Sequence, residues 1–179
     1  LVYGDEVKTV PISIADATTA VRQMVGLEIP DLVICNYDGF GYGLFSVDID
    51  ATDELLKLQD EVARGYAMIN LFERALNDQL AIDNAISLFL KGLLQEENEL
   101  IVRIQSSQIR TLFWKYQDEA LRNSTQTELE QALYDYLQRP HSASIQKTVY
   151  QLYRSIACSR DGLDRLYAIW SEEVTIPEL

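Results

Sequence analysis

Apolar positions follow two different rules along this chain, and the rule changes near Asp50. Before that point, short runs alternate between apolar and polar residues and are broken by turn formers, the period of strands. Tyr3-Gly4-Asp5-Glu6 supplies turn chemistry ahead of VKTVPISI, where Pro11 points to an edge position or a strand break. ADATTAVRQMVG fits two readings. Ser13 or Asp16 can cap a helix ending at Gly26, whereas Thr18, Thr19 and Val21 are β-branched and suit a strand. Local rules lean towards the helix. In DLVICNYDGFGYGLFSVDID, Leu32, Ile34, Leu44 and Val47 flank Asp38-Gly39, a strong hairpin signal. Gly41 and Gly43 allow a bulge or close approach of another backbone. No helix opens directly after these glycines and no Gly-Lys-Ser/Thr follows, so the stretch does not read as a phosphate-cradling nucleotide loop.

Beyond Asp50 the apolar residues recur at three- and four-residue steps and no convincing strand remains. Thr52 can cap a first helix through Leu55, Leu56, Leu58 and Val62, with Gly65 as the expected break before YAMINLFERAL. Asn77-Asp78 ends that element and Asp83 can cap NAISLFLKGLLQ. A longer helix follows EENE through Ile101, Ile104, Ile109, Leu112 and Phe113. NSTQTELE reads as a loop with a cap at Thr127, opening a helix that stops before Pro140. Ser142 or Ser144 starts the next helix, and RDGLDRLYAIWSEE forms the last. The resulting fold class is α+β and mainly α: a short β portion over residues 1–50, then a helical domain over 51–179. Short links make successive helices antiparallel neighbours, either as a HEAT-like superhelix of stacked pairs or as a bundle.

Composition narrows the function classes. A formal net charge of -13, from 15 basic and 28 acidic residues, leaves no basic stripe for nucleic acid or anionic lipid. No apolar run approaches the roughly 18 residues that a membrane span needs. Cys35 and Cys158 lie far apart and make no disulfide framework. His141 is the single histidine, which rules out a multi-histidine zinc site within this chain, and RPHSAS around it reads as a solvated loop. Glu96, Glu97 and Glu99 favour the positive end of a helix dipole, and Asp53, Glu54, Asp60 and Glu61 read as a solvated face. Trp114, Trp170 and the tyrosines at 134, 136, 150, 153 and 167 fall near apolar stripes and read as core. Ser106-Ser107 has no histidine partner and no nucleophile-elbow pattern. No catalytic, cofactor-binding or metal-ligating residue emerges from these patterns.

One motif adds a further reading. Asn36, Gly39, Gly41, Tyr42 and Asp48, followed by a helical tail, resemble the C-terminal region of M1-family zinc aminopeptidases, the aminopeptidase N-like gluzincins. In that family a strand with an Asn…Gly-Tyr pattern leads from a β-sandwich domain into a helical C-terminal domain. The resemblance spans essentially the whole chain and implies that ATTAVRQMV is a strand of the sandwich. His-Glu-x-x-His and Gly-x-Met-Glu-Asn are absent. The resemblance therefore places zinc, the glutamate base and any targeting segment upstream of Leu1, and makes this piece inactive by itself. Its implied partners are its own upstream catalytic domain and the peptide substrates, to whose cleft the helical domain controls access. The alternative is a stand-alone, acidic, helical protein-interaction module.

Overall fold

Val2–Tyr3 (β1) and Glu6–Val7 (β2) pair antiparallel around the turn at Gly4, with Val2 opposite Val7 and Tyr3 opposite Glu6. Gly4 takes φ +57°, a conformation that a side chain resists, and its N–H donates to the Asp31 carboxylate at 2.7 Å. Isolated antiparallel bridges then join Val2 to Leu32 and Ile34 to Val47. In the computed structural model, which describes residues 1–179, the chain divides into two compact units, Leu1–Asn70 and Leu71–Leu179. Composition changes near Asp50, whereas the division by packing falls within a helix.

The β portion of the first unit amounts to this two-stranded sheet and the two bridges. Residues 8–20 carry no regular structure, so the strand expected over VKTVPISI stops at Val7. ATTAVRQMV is neither of the two elements considered for it. It holds only a single 3-10 turn, Arg22–Met24. A strand needs a neighbour for its N–H and C=O groups, and the chain offers none along this stretch. Asp38-Gly39 does not close a two-residue hairpin either. Asn36 (φ 56°) and Gly39 (φ 72°) shape a wider loop between Ile34 and Val47.

Seven helices follow: α1 (Thr52–Leu56), α2 (Glu61–Leu76), α3 (Ile82–Leu93), α4 (Glu99–Lys115), α5 (Glu119–Leu137), α6 (Ala143–Ile156) and α7 (Arg160–Trp170). Most starts are set by short polar side chains that accept from orphan N–H groups: Asn98 for α4, Asp118 for α5, Ser142 for α6 and Ser159 for α7. The first break falls at residues 57–60 and not at Gly65, which is buried inside α2. Asp60 decides this, because its carboxylate accepts from the Ala63 N–H at 3.0 Å and so opens α2 four residues earlier than glycine content suggests. Helix α3 starts at Ile82 without a side-chain cap, and Asp83 sits in its first turn. NSTQTELE is helix throughout. Ser124 and Thr125 donate their hydroxyls to the Leu121 carbonyl, which satisfies them without leaving the helix.

Within the second unit, α3 packs on α4 and α5 on α6, as helical hairpins. Contacts also join α4 to α6, α3 to α5 and α5 to α7. Hairpins thus pack on one another through alternate helices, in the mainly helical fold expected from the sequence. Phe89, Phe113, Leu93, Ile109, Leu112, Leu133 and Leu137 fill its core with almost no exposure. Arg122 ties the α4–α5 corner by donating to the carbonyls of Phe113 and Gln117 at 3.1 and 2.8 Å. No helix is long and apolar enough to cross a membrane.

Candidate functional site

Three places in the molecule concentrate polar chemistry: the Asn36 loop, the corner around Glu130, and a groove beside α4 treated below. The Asn36 loop contains the residues on which the family resemblance rests. The left-handed backbone of Asn36 is a conformation that asparagine tolerates better than most residues. It aims the side-chain amide across the loop. Oδ1 accepts from the Gly41 N–H at 2.7 Å, and Nδ2 donates to the Gly41 carbonyl at 2.9 Å and to the Tyr66 hydroxyl at 2.6 Å. One side chain thus closes both backbone groups of Gly41 and anchors the loop to α2.

Glycine is required where the loop is tightest. A Cβ at Gly41 would lie 2.8 Å from Asn36 Oδ1 and 3.0 Å from the Phe45 ring. Gly39, at φ +72°, passes so close to Tyr66 that a Cβ would sit 3.4 Å from its ring. One turn along α2, Asn70 accepts from the Phe45 N–H at 3.1 Å and donates to the Tyr66 carbonyl at 3.1 Å. Tyr66 and Asn70 share a helix face and together hold the loop. Asp48 accepts from the Asp50 N–H at 3.0 Å and turns the chain towards α1. Burial pushes the Tyr37 phenol up, and Asp60 adds to the effect. Tyr42 contributes nothing to this lattice and is fully exposed. Four of the five motif residues therefore build the loop, and none is placed for acid–base or nucleophilic work.

The second cluster surrounds Glu130, a carboxylate on α5 with 1% exposure. It accepts from the N–H groups of Cys158 and Ser159 at 2.8 and 2.9 Å and from the Ser159 hydroxyl. Charge, N–H donors and the positive end of α7 converge there, so the buried anion is compensated. Tyr153, fully buried on α6, donates to the Gly162 carbonyl at 3.3 Å. Burial pushes its phenol up to about 12, with Arg165 opposing and Glu130 adding. The fold favours the neutral phenol, so its contribution is complete below the unfolded value of 10 and is lost as pH rises towards 12. Unfolding followed by urea from pH 9 to 12 is expected to lose about 2 kcal/mol through Tyr153. Tyr153→Phe is expected to flatten that slope.

The remaining residues singled out by sequence have structural surroundings. His141 is half-buried and not simply solvated: its ring stacks on Tyr136 at 3.9 Å and 4°. Cys35 and Cys158 are free and exposed, and burial pushes the Cys158 thiol up, away from the reactive thiolate. Glu96 is buried, and its Oε1 accepts from the N–H groups of Glu97 and Asn98 ahead of α4. Trp114 donates to the Ser155 carbonyl at 2.7 Å. Tyr153 and Tyr136 are core as expected, but Trp114, Tyr167 and Trp170 are 45%, 62% and 76% exposed. Leu163, Tyr167 and Trp170 leave a stripe of α7 uncovered.

The residues present do not suit zinc. No group of three or more histidine, cysteine, aspartate or glutamate side chains gathers where a metal ion could be held, and His141 is committed to Tyr136. The fold and these clusters define a mainly helical array and a glycine-rich loop pinned to α2. Comparison with protein families, curated proteins and solved structures gives no match to this chain.

Proposed function

We propose that this chain is the C-terminal, non-catalytic region of an M1-type zinc aminopeptidase, an enzyme that removes N-terminal residues from peptides. The helical array covers the catalytic cleft and shapes peptide access, and the zinc and its glutamate base come from a catalytic domain upstream. The observation that carries the reading is the Asn36 loop. The motif residues Asn36, Gly39 and Gly41 form one hydrogen-bonded junction between the β portion and the first long helix. A bridging role of this kind accounts for the order Asn, Gly, Gly, then helix.

A second property of the β portion agrees with it. Ile14, Val25, Ile29 and Phe40 are 76%, 83%, 93% and 94% exposed, on a stretch with hardly any strand pairing. Apolar surface and unpaired backbone in the same stretch suit a segment that another β-rich body completes. The test is to sequence the coding DNA upstream of Leu1. An open frame holding Gly-x-Met-Glu-Asn, then His-Glu-x-x-His and a distal Glu, is the expected result. A stop codon close upstream, with a separate start site, would overturn the reading and leave an independent helical module.

A further inference from the structure

Helix α4 presents Arg103, Ser106, Ser107 and Arg110 at the i, i+3, i+4, i+7 spacing of a single face. Helix α6, its packing neighbour, presents Thr148 and Gln151 at the same kind of spacing. These six residues, with Leu152, line a groove of about 200 Å³ that contains no carboxylate. In a chain with 28 acidic residues and a net charge of -13, two arginines two turns apart without an acid between them stand out. Arg122, Arg160 and Arg165 are each committed to oxygen partners, whereas neither the Arg103 nor the Arg110 side chain has a hydrogen bond or an ion pair within the chain.

The second, independent observation is Ser106. It is 92% buried (8% exposed), lines the groove, and its hydroxyl has no hydrogen-bond partner. A buried hydroxyl without a partner carries a desolvation cost that a bound acceptor would relieve. Thr148 has already spent its hydroxyl hydrogen on the Ser144 carbonyl at 2.9 Å. The donors left for a ligand are two guanidinium forks, two serine hydroxyls and the Gln151 amide. Such a set offers no carboxylate to a cation, carries two positive charges, and matches an acceptor-only anion with several oxygens. Size narrows the class further. The groove is smaller than the roughly 300–1,000 Å³ typical of sites for whole organic ligands.

We infer that the α4–α6 groove is a binding site for a small tetrahedral oxyanion of the phosphate or sulfate class, gripped by Arg103 and Arg110 with Ser106 as a hydroxyl donor. This site stands independently of the aminopeptidase reading. The net negative charge of the chain opposes diffuse anion adsorption, so saturable binding has to come from local geometry.

The test is a titration of the full 179-residue chain with inorganic phosphate at constant ionic strength, chloride being the exchanged ion. The arginine side-chain N–H resonances are followed by NMR, together with the Ser107 backbone and Gln151 side-chain amide signals of the same groove, which remain in every variant. The expected result is a saturable shift of the Arg103 and Arg110 signals, with sulfate competing for the same site. Arg103→Gln combined with Arg110→Gln is expected to weaken binding by at least about tenfold, with helical circular dichroism unchanged because both side chains are exposed. Ser106→Ala separates a ligand role from a structural one. It is expected to weaken phosphate binding by about threefold or more while leaving the melting temperature unchanged or raised, since no internal hydrogen bond is lost. Shifts that never saturate, or that persist unchanged in the double variant, would overturn the site. A Ser106→Ala variant that loses stability but binds phosphate as before would remove the serine from it.

Discussion

Gly162→Ala is expected to destabilise the helical unit by about 2–4 kcal/mol, although alanine is the better helix former by about 1 kcal/mol. A Cβ at this position overlaps Glu130 Oε2 and lies 2.8 Å from its Cδ. Glu130 cannot swing aside freely, because its carboxylate is buried and engaged by Cys158, Ser159 and the start of α7. Either the carboxylate moves and leaves N–H groups without an acceptor, or α7 lifts away from α5. Glu130→Ala removes the clash and the anion together and is expected to cost about 3 kcal/mol, through the donors it strands. The two changes share one contact, so the double variant is expected to be less destabilised than their sum by at least about 1 kcal/mol. Urea unfolding of the four proteins measures this. Strict additivity would mean that Gly162 and Glu130 do not constrain each other.

The second large effect is expected at Asn36. Asn36→Ala removes the bonds to Gly41 N–H, Gly41 carbonyl and Tyr66 hydroxyl, each contributing about 1 kcal/mol net at most. It also forces alanine into φ 56°, at a cost of about 1 kcal/mol. The sum is about 3 kcal/mol, felt first as local opening of the loop. Asn36→Gly keeps the backbone conformation without strain and is expected to lose about 1 kcal/mol less, which separates hydrogen bonding from φ. Amide exchange at Gly41 reports it directly: its protection is expected to collapse in both variants. Gly41→Ala is expected to give the same collapse from the other side of the contact, since its Cβ would meet Asn36 Oδ1 at 2.8 Å. Under the proposed function, this loop fixes where the helical array begins, so loosening it would alter access to the cleft more than the chemistry within it.

Both effects involve residues whose types are informative and whose partners are not. The Asn…Gly…Gly order is visible in the sequence, but Tyr66 and Asn70, which hold the loop, lie about 30 residues away on a helix face that reads as ordinary apolar stripe. Glu130 looks like one more acid on an acidic helix. Only its burial against the start of α7 distinguishes it. The oxyanion groove is partly legible, because Arg103, Ser106, Ser107 and Arg110 keep helical spacing. Its other wall is not, because short links make α5 the natural neighbour of α4 and the structure packs α6 there.

By itself the sequence determined the mainly helical class, the change of character near Asp50, and most helix starts from α4 onward. These depend on local physics: apolar period, short polar caps and the stop before Pro140 act within a turn or two of the residues concerned. It also excluded a multi-histidine zinc site within this chain by count alone. Tertiary structure alone decided the rest. Backbone partners decided that ATTAVRQMV forms no strand, since pairing is a property of two segments. Internal hydroxyl bonding carried α5 through NSTQTELE, and Asp60 opened α2 ahead of Gly65. Packing of alternate helices set which faces meet, and that choice buried Glu130, opened the Arg103–Arg110 groove and left Trp170 in solvent. Local rules fix what a segment can form, whereas burial and charge compensation depend on which distant surface arrives to cover it.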